Sequence, residues 1–171
     1  ELTPFRFPKA EIYAPKGFKV VQELIKKPYY KKRKPQKNES VIYILHQDPD
    51  FFVKLFPQVK KIGIDNNYLF LKHIMFARES KLVNISDAFF VIMKGIFIPD
   101  LGDQSLAKMI QVKVAGKKGF INYNLSKSGN YFDCNIVNQN GDFFKVYIKD
   151  TRLALDLNKA VSIISTITGS E

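Results

Sequence analysis

Few residues in this chain combine the types and the spacing that catalysis requires. His46 stands close to Asp48 and Asp50, so a histidine base paired with a carboxylate is one candidate. The alternative is that Asp48 caps a helix that follows and that His46 ends a strand at the surface. We favour this structural interpretation, because helix capping accounts for both aspartates.

Two further motifs have a chemical and a structural interpretation. Cys134 lies in the alternating stretch 131–137, and a nucleophilic cysteine needs a nearby base or a helix N-terminus to lower the pKa of its thiol. A cysteine inside a strand is more often an inert core residue. The segment Gly116-Lys117-Lys118-Gly119 lacks the long spacing and the Ser or Thr of a phosphate-binding loop, so it indicates a basic hairpin turn.

The strongest functional signal from charge is a basic segment with no acidic residue between positions 29 and 37. Tyrosines can stack on bases while lysines contact phosphates, and the same cations can contact anionic lipid headgroups. A solvated loop is the third possibility, and the excess of lysine over arginine argues against bidentate recognition. The candidate anion-binding or partner-binding residues are Tyr29, Tyr30, Lys31, Lys32, Arg33, Lys34 and Lys37.

Composition indicates a globular protein with an anionic partner. The 171 residues suit one domain or two small ones, and 46% of them are hydrophobic. The net charge of +11 favours nucleic acid, lipid headgroups or an acidic protein as the partner, although lysine-rich surfaces also occur in thermally adapted proteins. With one cysteine and two histidines, we expect no disulfide and no zinc site. We therefore predict a non-enzymatic protein without a cofactor.

The first half of the chain predicts a small α+β module over residues 1–80 with the order β-α-β-α-β-β. A strand is expected at 5–13, a turn at 15–17 and a helix at 18–27 that Pro28 ends. The next elements are a strand at 41–45, a short helix that begins after Asp48-Pro49-Asp50 and ends at Pro57, and a hairpin. The hairpin strands are expected at 59–64 and 68–77, joined at Asp65-Asn66-Asn67.

The second half, residues 81–171, predicts a mostly antiparallel β region with a C-terminal helix. Short strands are expected at 82–85, 88–93 and 96–98, and a helical turn at 103–109. Longer strands are expected at 110–114, 119–125, 131–138 and 142–148, with Asn140-Gly141 as a two-residue hairpin signal. The apolar spacing over 156–167 favours a helix. The strands 5–13 and 142–148 are candidate edges for binding an extended peptide, unless Lys145 and Lys149 prevent such pairing.

Short motifs in the first half resemble those of the FtsQ/DivIB family of bacterial division proteins, whose extracytoplasmic part contains a POTRA module and a β domain. The matching words are Phe56-Pro57-Gln58-Val59-Lys60-Lys61-Ile62, Phe76-Ala77-Arg78-Glu79-Ser80-Lys81-Leu82-Val83 and Phe90-Val91-Ile92-Met93-Lys94-Gly95-Ile96-Phe97. The sequence departs from the family at Ser80, where the family motif has proline, and in its long lysine-rich segment.

The resemblance implies a scaffold that assembles the division complex through protein–protein contacts, with other membrane proteins of that complex as partners. It also implies a single-pass bacterial membrane protein whose anchor precedes Glu1. The region printed here is then expected to lie outside the cytoplasm. The alternative function is a basic cytosolic protein that binds nucleic acid.

Overall fold

The computed structural model describes residues 2–7, 10–22 and 39–169, and it describes only the backbone of residues 2–7. The strands are β1 Leu2–Phe7, β2 Ala10–Pro15, β3 Lys19–Gln22, β4 Val41–Gln47, β5 Lys108–Val114, β6 Lys117–Ser126, β7 Gly129–Val137 and β8 Phe143–Asp150. The α-helices are α1 Phe51–Leu55, α2 Asn67–Phe76, α3 Ile85–Phe97 and α4 Leu157–Ser165. Short 3₁₀ helices span Pro57–Ile62, Glu79–Lys81 and Gln104–Leu106.

A six-stranded sheet with the order β3-β4-β8-β7-β6-β5 organises the fold. Only β3 and β4 run parallel, and every other neighbouring pair is antiparallel. Strands β1 and β2 form a separate antiparallel pair. The α+β class, the mostly antiparallel sheet and the C-terminal helix are therefore confirmed.

Apolar residues cover both faces of this sheet. One face packs against β2 and α4, through side chains such as Ile12, Phe132 and Ile163. The other face packs against α1, α2 and α3, through side chains such as Phe70, Phe120 and Phe143. Because both faces of the sheet are covered, the side chains on both faces of β7 and β8 are mostly buried.

The turns of the β5–β8 meander follow from their residues. Ala115 and Gly116 have φ values of 48° and 74°, which suit a two-residue turn between β5 and β6. Between β7 and β8, the Gly141 N–H donates to Asn138 O, and Gly141 has a φ of 89°. A left-handed glycine after a type I turn is a usual three-residue hairpin connection, so the hairpin at Asn140-Gly141 is confirmed, but its two-residue turn type is wrong.

The predicted elements of residues 5–27 are wrong in two places. The expected strand 5–13 is a hairpin of two strands, β1 and β2. Where the helix 18–27 was expected, residues 19–22 form strand β3, in which Val20 pairs with Ile42 of β4. Residues 23–27 lie outside the described part. Adjacent β-branched valines fit a strand, and the available partner strand overrides the helical spacing of the apolar residues.

The predicted hairpin over 59–77 is also wrong, because this stretch is helical. Pro57–Ile62 is a 3₁₀ helix, and Asn67–Phe76 is α2. The side chain of Asn66 accepts a hydrogen bond from Leu69 N and so caps α2. Asn66 is thus a helix cap rather than a hairpin turn.

The three short strands expected over 82–98 are wrong, because residues 82–84 lead into a single helix, α3 Ile85–Phe97. Its N-terminus is a capping box in which Asn84 accepts from Asp87 N, and the Asp87 carboxylate accepts from Asn84 N. Asp87 and Lys94-Gly95 were predicted to lie in turns. Gly95 lies inside the last turns of the helix instead.

The remaining strand and helix predictions from residue 41 onward are confirmed, with β4, α1, β5, β6, β7, β8 and α4 close to the expected positions. The 3₁₀ helix Gln104–Leu106 matches the expected helical turn. The division of the chain at residue 80 stays a prediction. The six-stranded sheet takes β3 and β4 from before that residue and β5–β8 from after it.

Strand β8 is not an edge strand, so that part of the edge prediction is wrong. It lies between β4 and β7 and is hydrogen-bonded on both sides. The edges of the described sheet are β3 and β5.

Candidate functional site

His46 does not form the candidate base–carboxylate pair with Asp48 or Asp50, which was already disfavoured from the sequence. Its ring stacks on Phe144 with 4.5 Å between ring centroids, and its Nε2 atom lies 3.6 Å from Asp142 Oδ2. Both ring nitrogens are buried and lack a hydrogen-bond partner among the described residues. A separation of 3.6 Å is too long for a good hydrogen bond. The enclosed ring therefore acts as a packing residue.

The two aspartates near His46 have structural roles, although not the predicted one. Asp50 occupies the N-cap position of α1, but its side chain makes no capping hydrogen bond. Its carboxylate lies 2.9 Å from Lys54 Nζ at the surface, and this hydrogen bond lowers the pKa of Asp50. The carbonyl of Asp48 accepts from the buried side chain of Asn67.

The glycine-lysine motif lies at the predicted hairpin, but Lys117 and Lys118 belong to β6 and their amines contact other groups. Lys117 Nζ donates to Ala115 O and to Ser165 O at 2.9 Å, which ties the turn to α4. Lys118 Nζ lies 4.2 Å from the centroid of the Tyr68 ring. Lys117 is thus used for a contact within the fold, and Lys118 stays exposed beside Tyr68.

Cys134 lies in the core beside the sheet centre and is fully buried. Burial raises the pKa of its thiol well above the ordinary value, and the neighbouring Asp133 adds to this effect, while Lys145 opposes it. These surroundings are those of an inert cysteine.

We expect Cys134 to react with a chromogenic disulfide reagent only when the protein unfolds. The thiol has neither solvent access nor a lowered pKa in the folded state. The measurement compares reaction in native buffer with reaction in denaturant, under otherwise equal conditions. Equal rates in the two conditions would show that Cys134 is accessible.

The lysine-rich candidate residues 29–37 lie outside the described residues, so their role stays a prediction.

Asp133, Asn135 and Lys145 form a buried polar cluster on β7 and β8 that was not predicted from the sequence. Lys145 Nζ lies 2.8 Å from Asp133 Oδ1 and donates to Asn135 Oδ1 at 3.1 Å and to Phe97 O at 3.0 Å. Asn135 Nδ2 donates to Asp133 Oδ2 at 2.7 Å. Asp133 and Asn135 are completely buried, and Lys145 is 8% exposed. Lys145 thus forms an ion pair with Asp133 and donates hydrogen bonds to two neutral oxygens.

Neighbouring polar side chains attach the segment after α3 to the same face of the sheet. The Tyr147 hydroxyl donates to Asp100 O, and Asn124 Nδ2 donates to Leu101 O and Asp103 O, both at 2.9 Å. Burial raises the pKa of Tyr147 well above its ordinary value, so the hydroxyl keeps its proton for this bond. Because its donors are directed at the backbone of residues 97–103, we assign the cluster a positioning role for α3.

A second lysine fixes α3 from the helix side. Lys94 Nζ donates to Met75 O at 2.8 Å and to Ala77 O at 3.2 Å, at the C-terminal end of α2. Burial lowers the pKa of this amine, and Arg78 contributes further. Helix α3 is therefore held by a capping box at its start and by two lysines near its end.

The outer face of α3 is the most prominent exposed apolar feature of the described residues. We define the α3 stripe as Ile85, Ile92 and Ile96, which are 89%, 63% and 72% exposed. Their spacing of seven and four residues places them on one side of the helix. Val83, directly before the helix, is 88% exposed. Phe90, on the opposite side, is buried against α2.

Neither a metal centre nor a membrane-spanning helix is found in the described part of the chain. Its His, Cys, Asp and Glu side chains form no group of three or more that could hold a metal ion. None of its helices has the length and the apolar character needed to cross a membrane.

No protein-family model, curated protein or solved structure matches this chain.

Proposed function

We propose that this chain is a non-enzymatic interaction module that binds a partner protein through the α3 stripe. The observation that carries the proposal is the exposure of three isoleucines in one line on a helix whose other side is already packed. Burying such a side chain contributes about 1.5–3 kcal/mol relative to leaving it in water. Large apolar side chains exposed along one side of a helix are typical of an interaction surface.

The amino-acid content of α3 supports this interpretation. The helix is apolar on both sides, which is typical of a helix that is buried all round. Only one side has a partner among the described elements, since Phe90 is the only fully buried residue of the helix. The other side, which carries the α3 stripe, would become buried when a second protein binds to it.

The attachments of α3 favour tight binding. Lys94 connects the helix to α2, and Lys145 connects it to the sheet, while the capping box orders its first turn. A surface that is already ordered loses little conformational entropy when a partner binds. The buried polar cluster thus serves the proposed function indirectly, because it fixes the helix that carries the stripe.

We expect Ile92→Gln to weaken partner binding by about tenfold or more while leaving folding almost unchanged. Truncating a central apolar contact of an interface costs about 1–2 kcal/mol or more, and an exposed residue contributes about 0.5 kcal/mol or less to stability. Glutamine is a good helix former and keeps the net charge constant. The matched control is Leu125→Gln, since Leu125 is also exposed but lies on β6.

The measurement is photo-cross-linking in the native cell from a benzophenone amino acid at Ile96, with and without Ile92→Gln. The proposal predicts a discrete cross-linked protein that Ile92→Gln removes and Leu125→Gln does not. If both variants give the same cross-linking pattern, the stripe is not the binding surface. Cross-linking to lipid alone would show that the α3 stripe contacts a membrane surface and not a partner protein.

A narrower proposal makes the chain an extracytoplasmic scaffold like FtsQ/DivIB, anchored in the bacterial membrane and bound to other division proteins. It rests on the sequence motifs, and the α3 stripe supplies a surface for such contacts. One apolar span encoded before Glu1 would support it, whereas a start codon directly before Glu1 would contradict it.

The net charge of +11 keeps nucleic acid as the alternative partner. The test is binding to generic DNA at low salt, with the salt dependence that phosphate contacts impose. Absence of binding at low salt would exclude this alternative.

A further inference from the structure

Strand β5 ends the described sheet and leaves a row of backbone groups without a partner strand. Its only ladder is the antiparallel one with β6. The two strands are joined by the two-residue turn Ala115-Gly116, and Val114 pairs with Lys117 across it. In such a hairpin the pair next to the turn exchanges hydrogen bonds, and every second pair does not. The N–H and C=O groups of Met109, Gln111 and Lys113 therefore point away from β6.

These outward groups are available for pairing as far as the described residues show. No hydrogen bond from the backbone of these three residues to another described element is present. Strand β5 is seven residues long, which is sufficient to pair with an extended peptide.

The hairpin that carries this edge is strongly basic. Residues 108–126 contain four lysines and no acidic residue. Lys108 and Lys113 have exposed side chains at the two ends of β5. Lysine at a sheet edge discourages pairing with another copy of the same strand, because like charges would meet. The same charges attract an acidic strand.

The two faces of β5 specify which side chains a paired strand would carry. Ile110, Val112 and Val114 are half-buried and pack against the core beneath α4. On the opposite face, Gln111 and Lys113 are exposed. A strand added beside β5 continues both faces, so its residues would alternate between apolar and acidic.

We propose that β5 binds an extended acidic segment of a partner protein, which adds a seventh strand to the sheet. The backbone of Met109, Gln111 and Lys113 supplies the hydrogen bonds, and Lys113, on the same exposed face as Gln111, selects negative charge. This site is separate from the α3 stripe and goes beyond the function proposed above.

The test is the binding of a fluorescent seven-residue peptide with alternating glutamate and valine to the full chain at low salt. We expect Gln111→Pro to weaken binding by about tenfold or more, because proline removes the outward N–H and disturbs the edge. The β5–β6 ladder does not use this N–H, and proline is tolerated on edge strands, so the fold is expected to persist. Gln111→Ala is the control and is expected to bind like the unchanged protein.

Lys113→Glu provides a second measurement that does not depend on a proline. We expect it to weaken binding of the glutamate peptide and to strengthen binding of the same peptide with lysine in place of glutamate. Equal affinity of Gln111→Pro and Gln111→Ala for the glutamate peptide would overturn the proposal, since binding would then be charge attraction without strand pairing. Absence of binding to the unchanged protein would overturn it as well. Because cross-linking from Ile96 reports on the α3 stripe alone, either failure leaves the first proposal standing.

Discussion

Asp133→Asn is expected to lower the free energy of unfolding by about 3–5 kcal/mol. The substitution keeps the shape of the side chain but removes the charge that faces Lys145 at 2.8 Å. Lys145 is then a buried cation whose remaining partners are neutral oxygens. Domains of this size are stable by about 5–15 kcal/mol, so the loss is a large fraction of the total.

The measurement is chemical denaturation of four proteins: the unchanged chain, Asp133→Asn, Lys145→Met and the double variant. We expect the double variant to be more stable than Asp133→Asn, because methionine removes the unpaired charge and keeps the apolar volume near Phe97. Additive effects of the two substitutions would contradict a direct interaction.

The same variants report on the position of α3. Lys145 holds the carbonyl of Phe97 at the end of that helix, so we expect faster hydrogen exchange of the last turns of α3 in Asp133→Asn. The capped N-terminal turn at Asn84 and Asp87 serves as an internal reference. An unchanged hydrogen-exchange pattern would contradict the positioning role of the buried polar cluster for α3.

The β half of the fold was predictable because its signals are local. Strands β5 to β8 are joined by short turns, and residues such as Gly116 and Gly141 adopt the left-handed backbone that these turns require. The apolar alternation in β7 also placed Cys134 correctly on a buried face. Each assignment needed only residues close in sequence.

The helical half was not predictable in this way, because its apolar residues do not show a clear period. Helix α2 buries Phe70, Leu71 and Ile74 on one face, but Leu69 and Phe76 on the other side are also apolar, and aromatic or β-branched residues favour strands. The caps at Asn66 and Asn84 were the available helix signals, but Asn66 was interpreted as a turn residue and Asn84 as part of a strand.

The candidate surfaces needed the tertiary structure. Asp133 and Lys145 occupy alternate positions of their strands, where polar residues usually indicate a solvent face. Helix α3 and the segment after it cover that face, and nothing in the sequence of β7 reports their presence. The α3 stripe became visible only once residues 85–97 were known to be a helix.

Gly119→Ala and Gly95→Ala are the same chemical change and are expected to act with opposite sign. A Cβ atom at Gly119 would overlap Asn135 O and lie 2.7 Å from Ile136 Cα on the neighbouring strand. These are backbone atoms at the centre of the sheet and cannot move independently. We expect a loss of about 3 kcal/mol or more, at the upper end of overpacking effects.

A Cβ atom at Gly95 meets no atom within 4 Å, and its residue lies in α3. Alanine there is expected to stabilise the protein by about 0.5–1 kcal/mol, because glycine is the poorer helix former. Thermal unfolding of both variants tests the pair in one experiment. A destabilised Gly95→Ala would contradict the helical assignment of residues 85–97, on which the α3 stripe depends. A neutral Gly119→Ala would contradict the close approach of β6 and β7.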